Sequence, residues 1–273
     1  MRLKNTEELK KKATQIRQSV LDMCYKAGTG HVTSAFSCVE ILVALYYGGI
    51  LRYDPKNPDW DDRDRFVMSK GQASVLLYPI LADVGYFPRE ELDRFCQADG
   101  KFGVHLQHDV PGVEITSGSL GHGLGIATGM ALAAKMDRKL NMVFALLGDG
   151  ECYEGSVWEA AMFASHNRLN NLVAIIDRNY LCVTNFTENM LGLEPLERKW
   201  SSFGWNTKTI DGHSFNEIFQ ALDRIRSRKS AKPNVIIADT VKGQGVSFMC
   251  YEPLWHGIPP NGNHYLCAKD ELR

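Results

Sequence analysis

Apolar side chains recur at helical spacing from Thr6 to Tyr25. Leu9, Ala13, Ile16, Val20 and Met23 share one face there, and Thr6 can cap the helix. Ser37 to Tyr47 and Ala73 to Val84 predict two further helices. Segment 54–65, which opens Asp54-Pro55-Lys56-Asn57-Pro58-Asp59, reads as polar loop. From Asn141 the pattern changes. Met142 to Leu147 and Leu172 to Ile176 are continuous apolar runs, separated by a helical stretch from Trp158 to Arg168. Asn206 to Ile210 and Val235 to Ala238 predict two more strands, with a helix near Asn216 to Arg226 between them. Strands without alternation, separated by helices, predict an α/β fold: a parallel sheet flanked by helices on both faces. No repeat, low-complexity tract or Pro/Ser-rich linker interrupts this order. Residues 1–273 therefore read as a single domain with a helical N-terminal segment.

Composition narrows the function classes. An apolar fraction of 44% and a charged fraction of 23% are ordinary for a globular chain. The net charge of −1 supplies no field to draw in nucleic acid or an anionic membrane. An anionic ligand must be held by local geometry. The Met1-Arg2-Leu3-Lys4 start lacks the apolar core of a secretory leader, and the run from Ile41 to Leu51 is too short to cross a bilayer. Seven scattered cysteines, none in a CxxC pair, predict reduced thiols and a cytoplasmic protein. The sequon Asn185-Phe186-Thr187 carries no meaning without secretion. Lys269-Asp270-Glu271-Leu272 is no retention signal, because Arg273 follows it.

The chemistry concentrates at the ends of two strands. Leu147 leads into Gly148-Asp149-Gly150, and Ile176 leads into Asp177-Arg178-Asn179. A right-handed β-α-β unit would make the two strands parallel and bring Asp149 and Asn179 to the carboxyl edge, where open α/β sheets bind ligands. A carboxylate and an amide oxygen suit Mg²⁺ or Ca²⁺, and two side chains leave coordination sites for phosphate oxygens. Gly148 and Gly150 allow close backbone approach, and the helix that follows offers free N–H groups. The unit reads as a metal-diphosphate clamp. Gly121-His122-Gly123-Leu124-Gly125 has neither a preceding strand nor GxGxxG spacing, so it reads as a close-packed helix start rather than a dinucleotide loop.

These residues, with the wording around them, resemble the transketolase family of thiamine-dependent enzymes. The resemblance rests on Leu147-Gly148-Asp149-Gly150-Glu151 and Glu154-Gly155-Ser156-Val157-Trp158-Glu159-Ala160. It extends to Leu172 through Asn179, Gly30-His31, Asp64-Arg65-Phe66-Val67-Met68-Ser69-Lys70-Gly71, Gly118-Ser119-Leu120-Gly121, Thr240-Val241-Lys242-Gly243-Gln244-Gly245 and Trp255-His256-Gly257. It runs from about residue 10 to about 262. It implies the thiamine-diphosphate-binding fold, thiamine diphosphate as cofactor, and Mg²⁺, with Ca²⁺ or Mn²⁺ as alternatives. Asp149, Asn179 and the Leu181 carbonyl would ligate the metal. Gly148, Gly150, Glu151 and Lys242 would lie at the diphosphate, and Gly118 and Leu120 at the aminopyrimidine. His31 and His256 would face cofactor and substrate, and Glu154 an interface between two active sites.

The chain matches only the first of the family's three domains. The pyrimidine-binding domain, which supplies the activating glutamate, has no counterpart in residues 1–273. The resemblance implies the N-terminal subunit of a split enzyme, working with a separate C-terminal subunit in a heterotetramer with two copies of each; a truncated longer chain is the alternative. The expected activity is transfer of a two-carbon ketol unit from a ketose to an aldose. The competing readings are a 1-deoxyxylulose-phosphate-synthase-like carboligase and a cofactor-binding but inactive partner subunit. The departures fall near the substrate channel. Gln72 stands where the family has His, and Ile258 where Lys is common. His122 stands where Gln is usual. The loop from Val104 to Pro111 is short, and either His105 or His108 takes the place of the family's histidine, with His108 favoured. Donor, acceptor and pathway stay open at this level.

Overall fold

The computed structural model describes residues 5–227 and 230–273; the Met1 to Lys4 stretch lies outside them. The strands in chain order are β1 (Arg65–Met68), β2 (Val143–Gly148), β3 (Leu172–Arg178), β4 (Leu181–Cys182), β5 (Asn185–Phe186), β6 (Asn206–Asp211) and β7 (Asn234–Asp239). Five of them form one sheet in the spatial order β1-β2-β3-β7-β6, and every pairing is parallel. β4 and β5 make a separate two-stranded hairpin.

The helices are α1 (Thr6–Ala27), α2 (Val32–Phe36), α3 (Val39–Tyr47), α4 (Ser74–Val84), α5 (His122–Met136), α6 (Gly155–His166), α7 (Thr187–Met190), α8 (Leu196–Ser202), α9 (Phe215–Ser227) and α10 (Gly262–Glu271). Alternate residues of the unalternating strands feed two separate cores. Phe144, Leu146, Val173, Ile175 and Ile236 pack with α1, α3, α4 and α9 on one face. Val143, Ala145, Leu147, Leu172, Ala174, Ile176 and Val235 pack with α5, α6 and Trp200 on the other. Both sheet faces are therefore dry, which is why polar alternation is missing from the sequence.

Local chemistry sets the helix ends. Asn5, not Thr6, caps α1: its side chain accepts the Glu7 N–H at 2.9 Å, and Thr6 is already helical. The predicted helix from Ser37 to Tyr47 begins only at Val39, because Ser37 and Cys38 form a break after α2. The Ser37 hydroxyl is committed elsewhere, to Asp177 Oδ2 at 2.7 Å. α3 is buried on every side and threads the middle of the first core. β1 was not expected as a strand; it is four residues long and emerges from the charged loop before it. Among the described residues, no helix is long and apolar enough to cross a membrane.

Candidate functional site

The loops leaving the carboxyl edge of β1, β2, β3 and β7 converge on one cleft of about 170 Å³. Gln72 comes from the loop after β1, Gly148 to Glu151 from β2, Asn179 and Leu181 from β3, and Lys242 from the loop after β7. Gly118, Leu120 and His256 complete the sequence-predicted residues that the structure brings together. His105, the less favoured of the two loop histidines, lines the cleft as well, and Ser34, Cys182 and Val183 join without having been singled out for it.

Two expected residues stand apart. His31 is not among the residues that line the cleft; its ring stands edge-on to His256 at 5.2 Å and tilted against His105 at 6.2 Å. Its Nδ1 is buried with no partner among the described residues. His108 is exposed and hydrogen-bonds Thr116 Oγ1 at 3.2 Å, so the preference for it over His105 is corrected. The cause is Leu106, which anchors in the core while its N–H donates to Ser74 Oγ at 3.1 Å. That anchor turns His105 inward, with Nδ1 at 3.1 Å from the Gly71 carbonyl. Gly118 has φ +138°, and a Cβ there would sit 3.2 Å from the His105 ring, so both the conformation and the space call for glycine.

Asp149 is 1% exposed. Its Oδ1 accepts the Gly150 N–H at 2.8 Å, and its Oδ2 accepts Tyr180 N–H at 2.7 Å and Arg178 at 3.2 Å. Tyr180 adopts φ +66°, a turn that aims its N–H back at the carboxylate. Burial, then the neighbouring Asp177, pushes the Asp149 carboxyl up to about 6 against the pull of Arg178. Arg178 also reaches Thr187 Oγ1 at 2.7 Å and Glu188 and Glu194 at 2.9 Å, tying the segment that holds α7 to the clamp.

Behind the two ligand candidates sits a buried ionic cluster that was not read from the sequence. Lys70 pairs with Asp177, which also accepts the hydroxyls of Ser37 and Thr240. Burial alone would raise the Asp177 carboxyl, yet Lys70 and these hydroxyls hold it below its ordinary range. The available signal was a charge at the end of an apolar strand, which needs a partner once buried. Asn179 Nδ2 donates to Asp177 Oδ2 at 3.0 Å, and a carboxylate accepts only, so the amide oxygen must face the other way. There Oδ1 accepts the Leu181 N–H at 3.1 Å.

Glu151 turns its side chain inward. It accepts Gly121 N–H at 2.9 Å, Gly148 N–H at 3.0 Å and the Ser69 hydroxyl, which pins the turn before α5 to the end of β2. A Cβ on Gly150 would meet Cys182 Sγ at 2.9 Å, whereas one on Gly148 would have ordinary contacts. Close approach is thus required at Gly150 and not at Gly148. Lys242 is 1% exposed, with Nζ at 2.7 Å from His256 Nδ1. Burial, then Lys70, lowers its ammonium to about 8.

The donor set suits a divalent ion held jointly with a ligand. One carboxylate and one oriented amide oxygen are hard donors. Among the described residues, no three His, Cys, Asp or Glu side chains gather as a cage. A metal here would need further oxygens, as an ion bridging to phosphate does. Volume alone does not mark the site. A groove of about 620 Å³ lies along α1 and α4, but Lys12 there is paired with Asp83, and Lys26 with Asp93.

The model of the family described as transketolase, thiamine diphosphate binding domain, matches residues 9–269. The chain is 43% identical over 242 residues to the 6-deoxy-6-sulfo-D-fructose transketolase subunit SqwG of Clostridium sp. (strain MSTE9), covering 88% of this chain and 87% of that one. It is 39% identical over 266 residues to one of the subunits of the apulose-4-phosphate transketolase of Phocaeicola vulgatus, covering 97% and 94%. The crystal structure of transketolase from Campylobacter jejuni superposes with a TM-score of 0.92 at 33% identity, over 98% of this chain and 43% of that chain.

Proposed function

The chain belongs to the transketolase family through its thiamine diphosphate binding domain, and from that membership we propose that it is the cofactor-holding subunit of an enzyme that moves a two-carbon ketol unit from a ketose to an aldose. The observation that carries this reading is the convergence of Asp149, Asn179 and the tight Gly150 turn at the carboxyl edge of a parallel sheet.

When bound, thiamine diphosphate supplies the carbanion chemistry that the protein itself lacks. The chain's own residues hold and orient. Asp149 and Asn179, with the Leu181 carbonyl, would grip Mg²⁺. Lys242 would bring positive charge to the diphosphate end. The Gly118 to Leu120 turn would lie beside the aminopyrimidine. Gln72, His105 and His256 line the cleft, where they would face the sugar. Gln72 can donate and accept hydrogen bonds but cannot become cationic.

The activating glutamate belongs to a separate pyrimidine-domain subunit. The cleft supports this: about 170 Å³ falls below the roughly 300–1,000 Å³ of a complete small-molecule pocket, as expected of one wall of a site. Two copies of each subunit, a single domain over residues 1–273, and a cytoplasmic location with all seven cysteines free complete the reading. Gln72 and Ile258 favour a sugar other than the usual pentose phosphate pair. Two similar subunits are named for other ketoses, 6-deoxy-6-sulfo-D-fructose and apulose 4-phosphate.

The test is co-expression with a candidate partner, followed by ketol-transfer assays with thiamine diphosphate and Mg²⁺. Weak turnover of xylulose 5-phosphate with ribose 5-phosphate, and efficient turnover of a modified ketose, is the expected result. Efficient turnover of the pentose phosphate pair overturns the substrate assignment. Carboligation from an α-ketoacid, or cofactor binding without any transfer, overturns the activity.

A further inference from the structure

We infer that Lys242 is a positioning residue that fixes His256 as the neutral Nε2–H tautomer, so that the imidazole presents a proton donor to the cleft. Lys242 leaves the carboxyl end of β7, and His256 follows the short helical turn Pro253–Trp255. Lysine Nζ and imidazole Nδ1 stand 2.7 Å apart, a hydrogen-bond distance. An ammonium has three donors and no acceptor. The bond therefore requires a lone pair on Nδ1, and a neutral imidazole must then carry its proton on Nε2. The opposite tautomer would set N–H against N–H inside a buried wall.

The surroundings bar the other two escapes. The first is double protonation of the ring. Burial, then Lys242, His31 and Lys70, holds the His256 imidazolium down to about 3, so the ring is neutral at neutral pH. The second is a ring flip, which would exchange Nδ1 for Cδ2 and leave the lysine facing a C–H with no acceptor. His31 packs edge-on at 5.2 Å with an interplanar angle of 81°, and the Thr33 hydroxyl holds the neighbouring Trp255 carbonyl at 3.0 Å. Nε2 has no hydrogen-bond partner among the described residues, while the ring lines the cleft. The donor is left for a ligand.

The same lysine thus has two duties, charge at the diphosphate end and control of a histidine proton. The chemical consequence, hydrogen-bond donation to a substrate oxygen, rests on the ketol-transfer reading; the test does not, because tautomers are read in the free chain. The measurement is long-range ¹H–¹⁵N correlation on the histidine-labelled chain at pH 7, with His256 assigned by H256Q. The expected pattern is a non-protonated Nδ1 and a protonated Nε2. Lys242→Met should collapse the separation between the two nitrogen resonances, and Lys242→Arg, which keeps a cationic donor, should restore it. Because a merely structural role leaves the tautomer untouched, an unchanged His256 pattern in folded Lys242→Met overturns the assignment. So does a wild-type spectrum showing Nδ1–H or imidazolium. The wild-type spectrum alone decides the matter should Lys242→Met fail to fold.

Discussion

Asp149 shows how much a single buried carboxylate is asked to do. The group is stabilised by two backbone N–H groups and one guanidinium, and burial still leaves its proton held more tightly than usual. Asp149→Ala should abolish metal-dependent thiamine diphosphate binding in calorimetric titration. It should also cost about 1–3 kcal/mol of stability, because Tyr180 N–H and Arg178 lose their acceptor. Unchanged cofactor affinity in that variant would remove Asp149 from the clamp. At this scale the sequence revealed the residues whose place follows from strand ends alone, such as Asp149 and Asn179. It hid those that depend on a loop's path. His105 and His108 are chemically identical, and only the burial of Leu106 between them decides which one turns inward. Lys70 and Asp177 are far apart in sequence, and nothing local announces that they meet.

Secondary-structure elements are joined by polar contacts as well as by their apolar faces. Arg17 of α1 grips Glu40 of α3 through two bonds at 2.7 and 2.8 Å. Glu40 also meets His213 Nδ1 at 2.9 Å, and His213 Nε2 accepts the Val241 N–H at 2.9 Å. His213 therefore donates from Nδ1 and passes the constraint to the segment carrying Lys242. Arg17→Met, which strands Glu40 as a buried charge, should cost about 3–5 kcal/mol in denaturant unfolding. Burial would raise the Glu40 carboxyl, but Arg17 and His213 bring it from 4.5 to about 2. A depressed acid stabilises the fold above its unfolded value and loses that contribution as pH falls. Thermal midpoints should therefore drop between pH of about 4.5 and about 2, and Glu40→Gln should flatten that limb. α5 is held more sterically. A Cβ on Gly123 would lie 2.6 Å from the Ser69 backbone Cα, so Gly123→Ala should destabilise by about 1–3 kcal/mol and loosen the Glu151 pin, read as a lower melting point with weaker cofactor binding. Long periodic elements were legible because their packing is written into apolar spacing. β1, the β4–β5 hairpin and the α2–α3 break were not, because short elements are decided by partners outside the local window.

For the whole molecule, one wall of a site implies coupling. If the cofactor bridges this chain and a partner, each must raise the other's affinity by the same factor, since binding free energies are reciprocal. Titrations of thiamine diphosphate with and without the partner, and of the partner with and without thiamine diphosphate and Mg²⁺, should give equal ratios; a cofactor bound equally well by the lone chain would place the complete site here. The fold class was the most legible level, because two dry sheet faces leave only one arrangement for unalternating strands separated by helices. The strand register also sets which length changes the molecule tolerates. Gly148 lies opposite Asp177, and odd and even positions of β2 and β3 serve different cores. An inserted residue in the polar turns between 54 and 64 shifts neither pattern. One inserted inside 143–148 or 172–178 exchanges the two cores and moves Asp149 or Asn179 out of step with its neighbours. The spacing between strand start and ligand is therefore a count that drift in length cannot alter. Insertion scanning should find silent positions in the loops and a sharp loss of folded protein within those two strands.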